Sequence, residues 1–290
     1  MNNKSKINRN APCWCGSQKK YKQCHFEFDE TLKSLSLQGY PIPNRSLIKT
    51  KEDLAGIKKS CQLTKQILDD LNAIIKPGIT TNEIDQWVYE TTIKHNAIPA
   101  PLNYKGFPKS ICTSINEVVC HGIPEDRVLI EGDILNVDVT CIINGYYGDS
   151  CRMYPIGKIS DKASHLINIT KECLEESIKN LKPFDPINKI GDTISEIAAR
   201  ESYSVVKIFG GHGTGKKFHE DPFIFHYKKK EKLMICAPGM VFTIEPMINE
   251  GNADCIILED NWTAVTKDNS LSAQWEHTVY VNENSIEILT

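Results

Sequence analysis

The sequence has no hydrophobic run long enough to cross a lipid bilayer. No window approaches the roughly 18 apolar residues of a membrane-spanning helix, and the opening MNNKSKINRN lacks the apolar segment of a secretory signal. A chain of 290 residues that is 40% hydrophobic and 24% charged can form one large globular domain, or one domain and a small module. These features argue against a membrane partner and predict a protein that stays in the cytoplasm.

The eleven cysteines lack the arrangement of a disulfide framework. Their number is odd, and several lie within apolar runs, as buried thiols do: Cys61, Cys141, Cys173, Cys236 and Cys255. Because cytoplasmic proteins keep their thiols reduced, we expect most of these cysteines to be free core residues.

Acidic residues are absent from the first 25 positions. The basic residues of this segment are Lys4, Lys6, Arg9, Lys19, Lys20 and Lys22, which give a local charge of +6. The other 265 residues hold 28 of the 34 basic and all 37 acidic side chains, a formal charge of −9. This asymmetry indicates an anionic partner for the N-terminal segment.

Four metal-binding side chains lie close together in the same basic segment. In APCWCGSQKKYKQCH the spacing C-x-C-x8-C-H combines Cys13, Cys15, Cys24 and His25, enough ligands for one closed tetrahedral zinc site. Metal binding would supply folding free energy to a stretch that has no core of its own. The stretch resembles the SEC-C motif, a small zinc module often linked to the translation and secretion apparatus. The resemblance implies one structural zinc and suggests the ribosome as the anionic partner.

A proline-containing segment follows the cysteines. LQGYPIPNRSLIKT has two prolines two residues apart and predicts an extended linker. We therefore divide the chain into a zinc-binding module with the start of the linker, residues 1–40, and a second domain, residues 41–290.

The second domain contains two similar halves. IKPGITTNEI at 75–84 matches LKPFDPINKI at 181–190, and EGDILNVDV at 131–139 matches PGMVFTIEP at 238–246. The offsets are 106 and 107 residues, so we predict a duplication in which each half contributes an acid to one shared place. Helices followed by strands, twice over, predict an α+β domain with a mostly antiparallel sheet backed by helices.

The stretch ILNVDVTCIINGYYGDSC, residues 134–151, predicts a hairpin with two buried carboxylates. Asn144-Gly145 is a type I′ turn signal, which places Thr140 opposite Asp149 and puts Asp138 diagonal to Asp149 on the same face. The other face is entirely apolar: Leu135, Val137, Val139, Cys141 and Ile143. One face is therefore expected to pack against helices while the other carries acids.

Two neighbouring carboxylates in a low-dielectric site repel each other unless a proton or a cation lies between them. Further ligands for a cation are available in Glu245 from the second half, Glu276 in SAQWEHTVYV, and His212 in FGGHGTG. With Asp138 and Asp149 they make five oxygen and nitrogen ligands, which suit a pair of divalent metals about 3.5 to 4 Å apart better than one zinc. The sequence leaves the metal open among cobalt, manganese, iron, zinc and nickel.

Four longer motifs carry a resemblance to a known family. They are NEVVCHGIP (116–124), GGHGTGKKFHEDP (210–222), FTIEPM (242–247) and SLSAQWEHT (270–278). Together with the acids they resemble the type I methionine aminopeptidases of the pita-bread fold over residues 45–290. The resemblance implies that the five ligands hold two metals, with Asp149 and Glu276 bridging them.

The same resemblance assigns residues to the substrate. His121 and His219 match the two histidines beside the scissile amide, and Glu245 is the candidate general acid and base. The residues that match the methionine pocket are Tyr104, Phe107, Cys112, Phe218 and Trp262. At Pro101 several family members have a cysteine, so the rim of this pocket departs from the family pattern.

The implied activity is removal of the initiator methionine from new chains when the second residue is small. A prolidase or aminopeptidase P remains an alternative with the same five ligands, although these enzymes usually carry a larger N-terminal domain. A non-catalytic pita-bread binding protein is a second alternative, which retention of all five ligands disfavours. We expect N-terminal methionine peptides as substrates, no DNA partner, and a monomer.

Overall fold

The computed structural model describes residues 7–290. Lys4 and Lys6, which belong to the basic N-terminal segment, lie outside these residues. Within residues 7–290 no helix has the length and apolar character needed to cross a membrane.

Five α-helices and fifteen short or medium strands form the described part of the chain. The helices are α1 Phe26–Leu37, α2 Lys51–Ile74, α3 Thr81–Lys94, α4 Asp161–Asn180 and α5 Asn188–Arg200. The strands are β1 Ile98–Pro99, β2 Cys112–Ile115, β3 Val118–Cys120, β4 Ile134–Ile143, β5 Tyr146–Pro155, β6 Ser204–Val205, β7 Gly211–Gly213, β8 Glu220–Ile224, β9 Val241–Ile244, β10 Met247–Asn249, β11 Cys255–Ile257, β12 Ala264–Thr266, β13 Ser272–Gln274, β14 His277–Val281 and β15 Ile286–Ile288. Three 3₁₀ turns lie at Tyr21–Gln23, Arg45–Leu47 and Tyr104–Gly106.

Two sheets form the centre of the fold, and their strands pair antiparallel. One contains β1, β4 and β2 with β5 paired to β4, and the other has the order β15-β14-β9-β7-β8. Two three-stranded sheets, β13-β10-β6 and β11-β12-β3, flank them. This arrangement confirms the predicted α+β class with a mostly antiparallel sheet.

The first-half helices begin where the sequence carries capping residues. Thr80 and Glu83 form the predicted capping box of α3, because the Thr80 hydroxyl accepts from the Glu83 N–H and the Glu83 carboxylate accepts from the Thr80 N–H. Thr50 and Asp53 do the same at the start of α2.

The central hairpin has the predicted register. Asn144 and Gly145 both have positive φ, 52° and 82°, as a type I′ turn requires, and Thr140 lies opposite Asp149. The apolar face of β4 packs against α2 and α3, with Leu135 and Val137 fully buried. Burial of each such side chain stabilises the fold by about 1.5 to 3 kcal/mol. The acidic face is thereby turned away from the helices.

The two halves repeat the same local hydrogen bonds. Gly132 and Gly239, 107 positions apart, have φ of 101° and 97°. The Gly132 N–H donates to the Ile156 carbonyl at 2.9 Å, and the Gly239 N–H donates to the Val281 carbonyl at 2.8 Å. Each glycine precedes a strand, β4 or β9; Asp138 lies on β4 and Glu245 directly follows β9, so the duplication brings both acids into the site from matched positions, as predicted.

The N-terminal segment packs on the second half. Leu32 of α1 is 6% exposed and joins the core formed by α4, α5 and their sheet, and Phe28 lies 5.9 Å from Phe184. The proline-containing segment after α1 is held along its length, because the Ile235 N–H donates to the Pro41 carbonyl and the Lys49 N–H to the Gly239 carbonyl. The contacts join the N-terminal segment to the second half.

Candidate active site and metal centre

A cleft of about 970 Å³ collects the predicted site residues. All five predicted metal ligands line it: Asp138, Asp149, His212, Glu245 and Glu276. The residues predicted to contact substrate line it too: Tyr104, Phe107, Cys112, His121, Phe218, His219 and Trp262. The departing position Pro101 lies in the same wall. Side chains from both halves of the duplication therefore meet in one place.

The acids and His212 face each other at coordination distances. One ligand atom each from Asp149, His212 and Glu276 lies within 4.8 Å of the others. The Nε2 atom of His212 is 3.6 Å from Oδ2 of Asp149 and 3.7 Å from Oε1 of Glu245. These separations are too long for hydrogen bonds and leave room for an ion between the atoms.

Burial and mutual repulsion disfavour the charged forms of these acids. Burial, reinforced by the Asp149 charge, holds the pKa of Asp138 well above its usual range. Burial and neighbouring carboxylates do the same to the pKa of Glu245 and Glu276, and burial raises the pKa of Asp149. Within residues 7–290 the buried Oδ1 atom of Asp138 has no hydrogen-bond partner. A divalent cation would stabilise the ionised acids and occupy this oxygen, so the donor set fits a metal centre.

A second set of side chains orients the acids. Thr140 donates to Oδ1 of Asp149 at 2.6 Å, Thr243 donates to Oε1 of Glu245 at 2.7 Å, and Gln274 donates to Oε2 of Glu245 at 3.2 Å. Apart from the Thr140 register, sequence reasoning missed these partners. Thr243 lies two residues before Glu245, so the two-residue alternation of a strand could have indicated it.

Two histidines are also fixed around the centre. The Nδ1 atom of His212 lies 3.0 Å from the Gly213 carbonyl, which fits an Nδ1–H donor and leaves Nε2 free as a ligand. The ring of His226, which sequence reasoning also missed, accepts the Glu245 backbone N–H at 3.1 Å through Nε2.

His121 and His219 stand at the side of the cleft as neutral imidazoles. Burial, with a smaller effect of the His212 charge, lowers the pKa of His121 to about 4. The same two causes lower the pKa of His219 to about 3, although part of its ring is open to solvent. The Tyr104 hydroxyl lies 3.0 Å from Nδ1 of His219 and holds the ring in place. Both rings can therefore donate hydrogen bonds without carrying charge.

Aromatic rings form an apolar slot beside the acids. Phe107 and Trp262 meet edge to face at 5.2 Å, and Tyr104 lies 4.9 Å from Phe218. Cys112 is buried in the wall. The slot suits a long, unbranched apolar side chain, because such a chain can contact several aromatic edges at once.

A buried ion pair holds the loop that carries Phe218 and His219. The Nζ atom of Lys49 lies 2.5 Å from Oε2 of Glu220, and the Lys49 side chain is only 1% exposed. The other Glu220 oxygen accepts the backbone N–H groups of Lys216 and Lys217 at 2.7 and 3.0 Å. Removing either charge would leave the other buried without a partner, which would cost several kcal/mol of stability. The ion pair and the two backbone hydrogen bonds to Glu220 therefore hold the loop in place.

The segment that supplies Lys49 also links the N-terminal module to the cleft. Arg45 donates to Oδ2 of Asp29 at 2.8 Å and lies over the Trp14 ring at 4.9 Å. Ser46 and Leu47, the next two residues, line the cleft. The N-terminal module therefore contacts the chain segment that borders the cleft.

The predicted zinc ligands converge in the N-terminal module. One ligand atom from each of Cys13, Cys15, Cys24 and His25 lies within 4.8 Å of the others. The Cys15 and Cys24 sulfurs are 3.6 Å apart, and Nδ1 of His25 is 3.3 Å from the Cys13 sulfur and 3.1 Å from that of Cys24. A tetrahedral ion with bonds of about 2.3 Å places its ligands roughly 3.5 to 3.8 Å apart, so the cluster fits zinc with small adjustments. Burial lowers the pKa of His25, which favours the neutral, ligating ring.

Comparison with known proteins supports these groupings. Residues 55–283 match metallopeptidase family M24, and residues 9–27 match the SEC-C motif. A methionine aminopeptidase of Chlamydia trachomatis is 47% identical over 98% of this chain and 99% of its own length. Methionine aminopeptidase A of Synechocystis is 50% identical over 83% of this chain and 96% of its own.

Solved structures of related metallopeptidases have the same fold as this chain. The crystal structure of methionine aminopeptidase from Rickettsia prowazekii matches with a TM-score of 0.82 and 45% identity, over 84% of this chain and 98% of that one. A prolidase from Pyrococcus furiosus matches with a TM-score of 0.63 and 24% identity over 84% of this chain and 65% of its own, which shows the shared fold alone.

Proposed function

The chain belongs to metallopeptidase family M24 and, within it, to the methionine aminopeptidases, and from this membership we propose that it removes the initiator methionine from new polypeptides whose second residue is small. The observation that carries the proposal is the position of the aromatic slot next to the cluster of acids and histidines in one cleft. A methionine side chain in the slot brings its own peptide bond to the acids. The preference for a small second residue is part of this proposal because the resemblance to methionine aminopeptidases implies it.

Two divalent metal ions are the proposed cofactor of the cleft. The ligands that would hold them are Asp138, Asp149, His212, Glu245 and Glu276, and this donor set suits cobalt, manganese, iron, zinc or nickel. When bound, the ions lower the pKa of a water molecule so that it can attack near neutral pH, and they polarise the scissile carbonyl.

Three side chains have proposed roles in the hydrolysis. Glu245, held by Thr243 and Gln274, accepts the proton of the attacking water and delivers it to the departing amine. The Tyr104 hydroxyl donates to Nδ1 of His219, which leaves the opposite N–H to donate to the carbonyl oxygen as negative charge develops. His121 holds the nitrogen end of the scissile bond.

Division of the chain at residue 40 into a zinc module and a catalytic domain remains our proposal, with one structural zinc on Cys13, Cys15, Cys24 and His25. A monomeric state is a further part of this proposal. Action on chains as they are synthesised supports a cytoplasmic location.

Comparison of two peptides tests the proposed function. The metal-loaded protein is expected to release methionine from Met-Ala-Ser and to leave Ala-Pro-Ala intact, because the alanine side chain is too short to fill the aromatic slot. Chromatography of the released free amino acids measures how fast each peptide is cleaved. Faster release of alanine from Ala-Pro-Ala would favour the proline-specific alternative, and no cleavage of either peptide would favour a binding protein.

The basic residues of the zinc module support the ribosome as a further proposed partner. Arg9, Lys19, Lys20 and Lys22 are exposed, and within residues 7–290 none forms an ion pair with an acid. Exposed cations attract a phosphate surface with an affinity that falls steeply with salt.

A charge reversal tests this partner without removing α1. The triple change of Lys19, Lys20 and Lys22 to Glu is expected to reduce co-sedimentation with ribosomes at low salt by about tenfold or more, while Met-Ala-Ser hydrolysis stays unchanged. The matched control changes Lys76, Lys94 and Lys158 to Glu; these three lysines are exposed and lie outside the zinc module. Equal loss in both triple variants would show a general charge effect and contradict a specific role of the module.

A further inference from the structure

Three aromatic side chains form a row on the surface next to the cleft. Phe223 lies on β8, and Phe225 and Tyr227 follow it at two-residue intervals. The ring centroids of Phe223 and Phe225 are 4.7 Å apart, and those of Phe225 and Tyr227 are 5.6 Å apart. We call these three residues the aromatic row. Strand β8 is the edge strand of its sheet, pairing only with β7 among the described strands. Beyond β8 the backbone of Phe225 and Tyr227 lies against Gly191 of α5, and their side chains are half-buried.

The row is continuous with the cleft. Phe223 lines the cleft and is 42% exposed, and Ile208, which also lines it, is 56% exposed. Large apolar side chains that stay exposed at the mouth of a binding cleft are typical of surfaces that contact a ligand. Since β8 begins directly after His219, the row leads outward from the proposed catalytic residues.

Basic side chains accompany this path. Lys229 lies 4.7 Å over the Phe225 ring, and Lys207 lies 5.9 Å from the Tyr227 ring. The cleft rim adds Lys105, Lys216 and Lys217. Some of this charge is neutralised locally, because Lys216 lies 3.3 Å from Asp53, Lys229 pairs with Glu231, and Asp221 also lies in the rim. Positive charge still exceeds negative charge along the path, which favours acidic groups on whatever lies there.

We propose that the aromatic row is an extended subsite for the substrate polypeptide, which binds residues downstream of the small second residue and favours apolar and acidic side chains. The inference rests on the proposed function, because it takes the occupant to be the polypeptide whose first residue fills the slot. An extended chain advances about 3.3 Å per residue. Phe223 lies opposite the proposed ligand His212 in the β7–β8 pairing, and Tyr227 is four positions further along the chain, so the row should contact substrate residues from about the third to about the seventh.

Peptides of two lengths and two charges test the subsite. The substrates are Met-Ala-Ser, the nonapeptide Met-Ala-Ser-Gly-Glu-Leu-Glu-Leu-Glu, and the same nonapeptide with lysine in place of glutamate. For the metal-loaded protein, kcat/KM is expected to be about tenfold higher for the acidic nonapeptide than for the tripeptide, mainly through KM. For the lysine nonapeptide, kcat/KM should be little higher than for the tripeptide.

Two variants outside the cleft lining isolate the row. Phe225→Ser should reduce the length-dependent gain in kcat/KM to less than about threefold. Lys207→Glu changes an exposed residue and should reverse the preference between the two nonapeptides. Both should hydrolyse Met-Ala-Ser like the parent protein. Matched controls are Ile256→Ser, also an exposed apolar residue at 46%, and Lys94→Glu, and neither should alter the gain.

The outcomes separate the subsite from the proposed function. Cleavage of Met-Ala-Ser without any gain for the acidic nonapeptide, or a gain that the controls reduce as much as Phe225→Ser does, would overturn the subsite alone. Loss of oligouridylate binding in Phe225→Ser and Lys207→Glu with the peptide gain intact would show that the row binds nucleic acid instead. Failure of the parent protein to cleave Met-Ala-Ser would overturn both proposals.

Discussion

Replacing Asp149 by alanine is expected to lower kcat/KM for Met-Ala-Ser by about 10³-fold or more, because the loss of a proposed shared ligand removes several kcal/mol of transition-state stabilisation. Asp149 groups with His212 and Glu276 within 4.8 Å, and among residues 7–290 Thr140 alone donates a side-chain hydrogen bond to its carboxylate. Bound metal should fall together with activity. Hydrolysis assays and elemental analysis of the same preparation measure both quantities.

Stability provides an independent readout for this variant. Without metal, the acids repel each other in a buried site, so metal-free Asp149→Ala should unfold at a higher temperature than the metal-free parent. Asp70→Ala, which removes an exposed acid, is the matched control and should change neither activity nor metal content. Full turnover in Asp149→Ala with normal metal loading would rule out the two-metal proposal.

A charged first residue in the substrate is expected to be rejected by about 10³-fold or more relative to methionine. The Phe107 and Trp262 rings that form the slot carry no charge, and burying an unpaired charge against them costs several kcal/mol. Leucine should be disfavoured by only about 10 to 200-fold, since it differs from methionine in shape and by roughly one methylene of contact. Hydrolysis rates for Met-Ala-Ser, Leu-Ala-Ser and Lys-Ala-Ser, measured with the same metal bound, give the order of preference for the first residue.

Enlarging the slot tests the same interpretation from the protein side. Trp262→Ala removes the ring that meets Phe107 edge to face, so it should narrow the difference between methionine and leucine. Ile257→Ala, an exposed residue outside the cleft lining, should leave the ratio unchanged. Met-Lys-Ser should be a poor substrate for both variants, because the proposed function requires a small second residue. Comparable rates on all of these peptides would show that the slot does not select methionine.

Local chemistry explains why much of the site could be predicted from the chain. The position of Asp138 relative to Asp149 follows from the period of a strand and from one Asn-Gly turn, both of which depend on neighbouring residues. The four matched motifs assigned the remaining ligands by resemblance. The cysteines and His25 of the zinc cluster are close in sequence, so their spacing alone predicted their meeting.

Contacts between distant residues could not be predicted in this way. Lys49 and Glu220 are 171 positions apart, and nothing near either residue indicates that they form the buried pair behind the Phe218 and His219 loop. The packing of α1 through Leu32 is a similar case, because its apolar residues fit a free module as well as a docked one.

The sequence by itself determined the class of fold, the hairpin register, the set of candidate ligands and the grouping of three cysteines with His25, since each depends on local geometry or on motifs of neighbouring residues. Tertiary structure decided that Gln274 orients Glu245, that Lys49 holds Glu220, and that the aromatic row opens from the mouth of the cleft. These relations arise only when the two halves close on each other. The free energy of that packing is a property of surfaces brought together from the whole chain, and no local segment specifies it.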